Sequence, residues 1–176
     1  ALPPGTADNA WLRAFEAIVP QALHAFAPQF LVTQQGCDSH YQDPLAHMSL
    51  SLEGQRLSYQ MLHRLAHVHC EGRWIATGGG GYEWVEVVPV AWSHLLAEAL
   101  DRPVDPASPT PEAFRGLVEN VLKVPAPQTM GNGRDPWVRS WETGYNPDDP
   151  VDAAVLATRR AAFPHLGIDP DPDPMF

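Results

Sequence analysis

Gln34-Gln35-Gly36-Cys37-Asp38-Ser39-His40-Tyr41-Gln42-Asp43-Pro44-Leu45 sets turn formers and titratable groups directly behind a short apolar run, Phe30 to Val32. That run reads as the core of a short strand whose polar end is Thr33 to Gln35. A carboxylate just past a strand end stands where open α/β sheets place their chemistry, because the carboxyl ends of the strands form the ligand crevice. Taken alone, Asp38 reads as a turn or capping residue.

Upstream of this stretch, Trp11, Phe15, Ile18, Ala22 and Phe26 recur at steps of three and four and predict one helix, with Asp8 as its expected N-cap. Pro20 should kink that helix or loosen it, and Pro28 should end the run. Downstream, Ser51 is placed to cap a second helix reaching to about Cys70, with Leu57, Met61, Leu65 and Val68 expected on its apolar face. Glu71-Gly72 closes it, and Trp74 to Thr77 predicts a second strand. Gly78 to Gly81 and Tyr82 follow at once, then a third helix carrying Val85, Val88, Trp92, Leu95, Leu96 and Ala99. Strand, loop and helix repeated in that order imply parallel β-α units, with strands buried between helical layers.

From Asp101 the texture changes. Pro103, Pro106, Pro109 and Pro111 predict a linker, followed by an amphipathic helix over Glu112 to Lys123 and a further helix from about Val151 to Phe163. Trp137, Trp141 and Tyr145 are expected to pin this extension onto the domain. Asp169 to Pro174 alternates Asp and Pro and is expected to be extended and solvated.

The 176 residues, 44 % of them hydrophobic, suffice for one domain with a real core. A formal charge of −10 argues against nucleic acid and against an anionic membrane surface as partners. No apolar run approaches the roughly 18 residues of a spanning helix, and no signal peptide is evident, so a cytoplasmic protein is expected. In that setting Cys37 and Cys70 should be free thiols. The chain opens on Ala1 rather than Met, which fits processing or a piece of something longer.

The two glycine-flanked loops would bring Asp38 and Tyr82 to one edge of the sheet. Asp38 could ligate a hard or borderline cation, and Tyr82 could donate a hydrogen bond to an oxygen developing charge. The glycine quartet lets backbone approach without Cβ clashes, and no Gly-Lys-Ser/Thr follows to make it a phosphate loop. His40 reads as a structural histidine that could instead serve near a metal, and Asp43 before Pro44 reads as a turn former. His63 and His67, four apart on the second helix, read as part of a solvated polar face.

Gly36-Cys37-Asp38-Ser39-His40 with Asp43-Pro44-Leu45, then Gly78-Gly79-Gly80-Gly81-Tyr82 with Trp92 ten residues on, resembles the zinc-dependent histone-deacetylase superfamily. The likeness is strongest to its bacterial acetoin-utilisation branch, and Leu2-Pro3-Pro4-Gly5-Thr6 shares in it. The resemblance implies an α/β, arginase/deacetylase-like fold with a parallel sheet and helices on both faces. Residues 1–100 would form only its C-terminal half, and residues 101–176 an extension packed on it.

By position, the resemblance makes Asp38 a zinc ligand and Tyr82 the catalytic oxyanion donor. It makes Gly80 a substrate-binding glycine whose carbonyl meets the substrate amide, and Leu45 a wall of the acyl-lysine channel. His40 and Asp43 would stand behind these groups. Cys37 departs from the Phe or Ala of relatives. The implied reaction is zinc-dependent hydrolysis of acetyl-lysine or a related acylated amine. The family's His pair and Asp-x-His ligands belong to an N-terminal half, which would be needed for a complete site. The alternative is a non-catalytic, deacetylase-like partner or regulatory module. An arginase-like two-metal cluster is a weaker reading, since its carboxylate and histidine set is not seen here.

Overall fold

The computed structural model describes residues 1–171. Helix α1 spans Asp8–Phe26, strand β1 Leu31–Gln34, helix α2 Leu52–Cys70, strand β2 Trp74–Thr77 and helix α3 Val88–Ala99. Helix α4 is Glu112–Leu117, continued by a π-turn over Val118–Leu122, and helix α5 is Pro150–Ala162, followed by a 3-10 turn over Phe163–Leu166. None of the helices is long and apolar enough to cross a membrane among the described residues.

The first two β-α units form as the pattern implies, because β1 and β2 pair in parallel with Leu31 opposite Trp74 and Gln34 opposite Thr77. Side chains alternate between the faces of a strand. Leu31 and Trp74 accordingly share one face, where they meet Leu62, Ala66 and Cys70 of α2 and Phe15 and Leu23 of α1. Helix α3 flanks the same face across a cavity of about 250 Å³ between Trp74, Ala76, Trp92 and Leu95. Val32 and Ile75 point the other way and are exposed at 63 % and 51 %. The α/β class with a parallel sheet is therefore as expected, and the helices that cover it among the described residues stand on the Leu31 side.

Two local expectations need correction. Asp8 does not cap α1, whose N-cap is Ala7. Its buried carboxylate instead accepts from the Ser51 N–H at 2.7 Å and the Ser51 hydroxyl at 2.8 Å. Ser51 Oγ in turn accepts from Gly54 N–H, so two helix starts are locked together. A Cβ at Gly54 would overlap the Asp8 carboxylate, which is why the helices can approach here. The buried face of α2 is Leu52, Gln55, Tyr59, Leu62, Ala66 and Cys70, one step round from the expected stripe; Val68 is exposed. Pro20 sits within α1, and the chain leaves the helix just before Pro28, turning at Ala27 in the left-handed region at φ 49°.

Beyond Asp101, the expected helix over 112–123 divides into α4 and the π-turn, with only Val118 of the apolar set buried. Helix α5 docks on α1 through Ala14, Ala17, Trp141, Val151 and Val155. Arg13 bridges the two with a buried, two-pronged ion pair to Asp152 at 2.6 and 2.9 Å, and also donates to the Ser140 and Gly144 carbonyls. Trp141 is buried here under Arg13 and Arg159, whereas Trp137 is exposed. The start of the acidic tail is exposed, as expected, and is also tethered: Arg159 donates to the Pro170 carbonyl and Arg160 to the Asp171 carboxylate. Pro172, Asp173 and Pro174 of that expectation lie outside the described residues. Cys37 and Cys70 are free thiols, as expected, and both are buried.

Candidate functional site

Both strands run out at the same end of the sheet, and their following loops are stitched together by backbone. Gln35 N–H extends the ladder to the Thr77 carbonyl at 2.8 Å, and Cys37 N–H donates to the Gly80 carbonyl at 2.7 Å. Trp92, from α3, closes the underside by donating its indole N–H to the Gln35 carbonyl at 2.9 Å, with its ring against Gly78.

Such proximity leaves no room for side chains on the glycine run. A Cβ at Gly79 would overlap the Gln34 amide, and one at Gly80 the Asp38 carboxylate. One at Gly81 would lie 2.6 Å from Cys37 Sγ. The run is thus a requirement of close approach, as its sequence implies.

Asp38 lies against the backbone of Gly36 and Gly80, half-buried, and no donor among the described residues hydrogen-bonds its carboxylate. Tyr82 is 49 % exposed at the end of the second loop. Leu45 is exposed on the first, at the rim. The Gly80 carbonyl faces Cys37 N–H, which occupies one of its two lone pairs.

Asp43 joins the two loops. Its Oδ1 accepts from the N–H groups of Leu45 and Ala46 at 2.9 and 3.2 Å, the pattern of a turn former. Its Oδ2 accepts from Tyr82 N–H at 2.9 Å. Burial pushes this carboxyl upward, but the N–H groups of Leu45, Tyr82 and Ala46 outweigh it and hold the group below its ordinary value.

His40 is fully buried and both ring nitrogens are engaged. Nδ1 accepts from Gln42 N–H at 3.2 Å, so Nε2 carries the proton and donates to Asn132 Oδ1 at 2.9 Å. Burial lowers its pKa, which keeps the ring neutral. The same Asn132 oxygen accepts from Leu52 N–H, so His40 fastens the Asp38 loop to the start of α2.

Two supports escaped the sequence. Asn132 lies in Gly131-Asn132-Gly133, a turn signal with nothing to name its distant partner. Gln55, four residues past the Ser51 cap, donates to the Cys37 carbonyl and to Ser39 Oγ, both at 3.0 Å. The Cys37 thiol between them is pushed up to about 11 by burial, so it is protonated and unreactive at neutral pH.

The chemistry of this donor set suits one oxygen ligand to a cation, with a phenol on the neighbouring loop. No group of three His, Cys, Asp or Glu side chains able to hold a metal gathers among the described residues. A catalytic zinc takes three protein ligands.

Comparison with known proteins agrees with these loops. Residues 1–99 match the histone deacetylase domain family. The chain is 37 % identical over 130 residues to the acetoin utilization protein AcuC of Bacillus subtilis (strain 168), covering 74 % of this chain and 33 % of that protein. It is 35 % identical over 103 residues to AcuC of Staphylococcus aureus (strain MRSA252), covering 58 % and 26 %. The chain thus spans about a third or less of the length of these curated relatives. The crystal structure of the HDA15 HD domain superposes with a TM-score of 0.50 at 24 % identity, over 69 % of this chain and 32 % of that one, a likeness of fold.

Proposed function

This chain belongs to the histone deacetylase family, and from that premise we propose that it carries the Asp38–Tyr82 side of a zinc-dependent deacetylase site. The substrate is acetyl-lysine or a small acylated amine, and the remaining ligands come from an N-terminal half of the same domain. The observation that carries this reading is the Asp38 carboxylate, held by backbone contacts where the two loops are stitched and given no donor among the described residues. That the chain spans about a third of AcuC supports a site completed by other residues.

In this reading Asp38 is the residue of this chain that holds zinc, which when bound polarises the acyl carbonyl toward water. Tyr82 donates its phenol hydrogen to the acyl oxygen as negative charge grows there. Asp43 fixes where Tyr82 stands by holding its backbone N–H. Leu45 packs on the methylenes of the acyl-lysine arm. A cytoplasmic setting accords with the two free thiols.

A non-catalytic, deacetylase-like module is the second reading, favoured by the lack of a three-ligand group among the described residues. Metal content separates the two. The complete protein that carries this chain should hold one zinc and hydrolyse an acetyl-lysine peptide. Asp38→Asn should remove both zinc and turnover while leaving the circular dichroism spectrum in place. A metal-free parent without hydrolytic activity supports the module.

A further inference from the structure

Away from the two loops, the exposed side of α2 brings two imidazoles together. His63 and His67 stand one helical turn apart, and their Nε2 atoms approach to 3.0 Å. Residues four apart on a helix are neighbours on one face, so the backbone sets this meeting.

Both rings are also held from outside the helix. The His63 ring stacks on Trp74, with centroids 5.9 Å apart and planes 22° from parallel. Trp74 is itself fixed by donating its indole N–H to Thr33 Oγ1 at 2.8 Å. The His67 ring lies over Gly72, whose φ of 78° turns the chain beneath it; a Cβ there would stand 3.0 Å from the ring.

We propose that His63 and His67 form a two-nitrogen chelate for a borderline divalent cation, copper(II) or nickel(II) in preference to zinc. The pair is separate from the Asp38 loop and owes nothing to the reading of that loop. Imidazole nitrogens stand about 2.0–2.1 Å from such metals, so two of them span about 2.9 Å at a right angle and about 3.3 Å at a tetrahedral one. The observed 3.0 Å suits the right angle of square-planar or octahedral coordination.

Without metal, one Nε2 must carry a proton and donate to the other. With metal, both rings carry the proton on Nδ1 and both Nε2 lone pairs face the ion. The neighbouring groups do not join: His69 faces His24 at 6.0 Å, Cys70 is buried, and the Glu71 carboxylate pairs with Arg73 at 2.7 Å. Water completes the coordination, making the site exchangeable.

Calorimetric titration of the chain with copper(II), read beside electron paramagnetic resonance, tests this. The expected result is one ion bound with two ring nitrogens coordinated, and affinity at least tenfold lower in both His63→Ala and His67→Ala. In His24→Ala and Asp38→Asn the affinity should stay within twofold. Emission from Trp74, the component missing in Trp74→Phe, should be quenched as the ion binds. No binding by the parent chain, a loss under tenfold in either histidine variant, or a larger loss in Asp38→Asn overturns the proposal.

Discussion

Asp38 and Asp43 are five positions apart and of one residue type, yet their surroundings separate them. Asp38 meets no donor among the described residues, and Asp43 meets three backbone N–H groups from two loops. Removing the Asp43 carboxylate leaves those groups without their partner, and Asp43→Ala should cost about 2 kcal/mol in denaturant unfolding. Because Asp43 is held below its ordinary value, its stabilisation is full above the unfolded carboxyl's pKa and is lost as pH falls through the lower folded value. Asp43→Asn should therefore show less loss of stability than the parent between neutral pH and the acid range. A parent-like acid limb in that variant contradicts the role. At this scale the sequence is most legible where chemistry is local. The glycine run announces close approach, and Asp-Pro announces a turn. The bond from Asp43 to Tyr82 spans 39 positions and the one from His40 to Asn132 spans 92, distances over which no residue type names its partner.

For the helices and strands, spacing locates the elements better than it orients them. Ser51 reads correctly as a cap, because hydroxyl capping is a short-range device. The face of α2 does not, because two stripes one step apart compete and only packing decides between them. The winning stripe includes polar Gln55 and small Ala66, which a count of large apolar residues passes over. Truncation distinguishes the faces: Leu62→Ala should cost about 2–4 kcal/mol, and Val68→Ala less than about 0.5 kcal/mol. Equal costs at the two positions would place the core on the wrong side of α2. Asp8 is instructive in the same way, since an acidic residue at a helix start reads as that helix's own cap, whereas here it holds the next helix.

At the scale of the molecule, parallel strands ordinarily lie between two helical layers. The described residues supply one, on the Leu31 face, and leave Val32 and Ile75 exposed on the other. The chain spans about a third of AcuC, and the function proposed above draws the remaining ligands of the Asp38 site from residues outside it. The β-α order was legible in the sequence because strand and helix periodicities alternate cleanly up to Ala99. The aromatics of the extension suggested that it packs on the domain, but the seat of α5 was not legible, because it turns on Arg13 meeting Asp152 across 139 positions. Turnover is a property of the assembled site, so the central claim is tested on the complete protein with an acetyl-lysine peptide as substrate. Measured for Tyr82→Phe beside the parent, zinc content should stay at one per molecule while kcat falls about 10²–10³-fold, the loss of one oxyanion donor. A kcat within twofold of the parent would contradict the account.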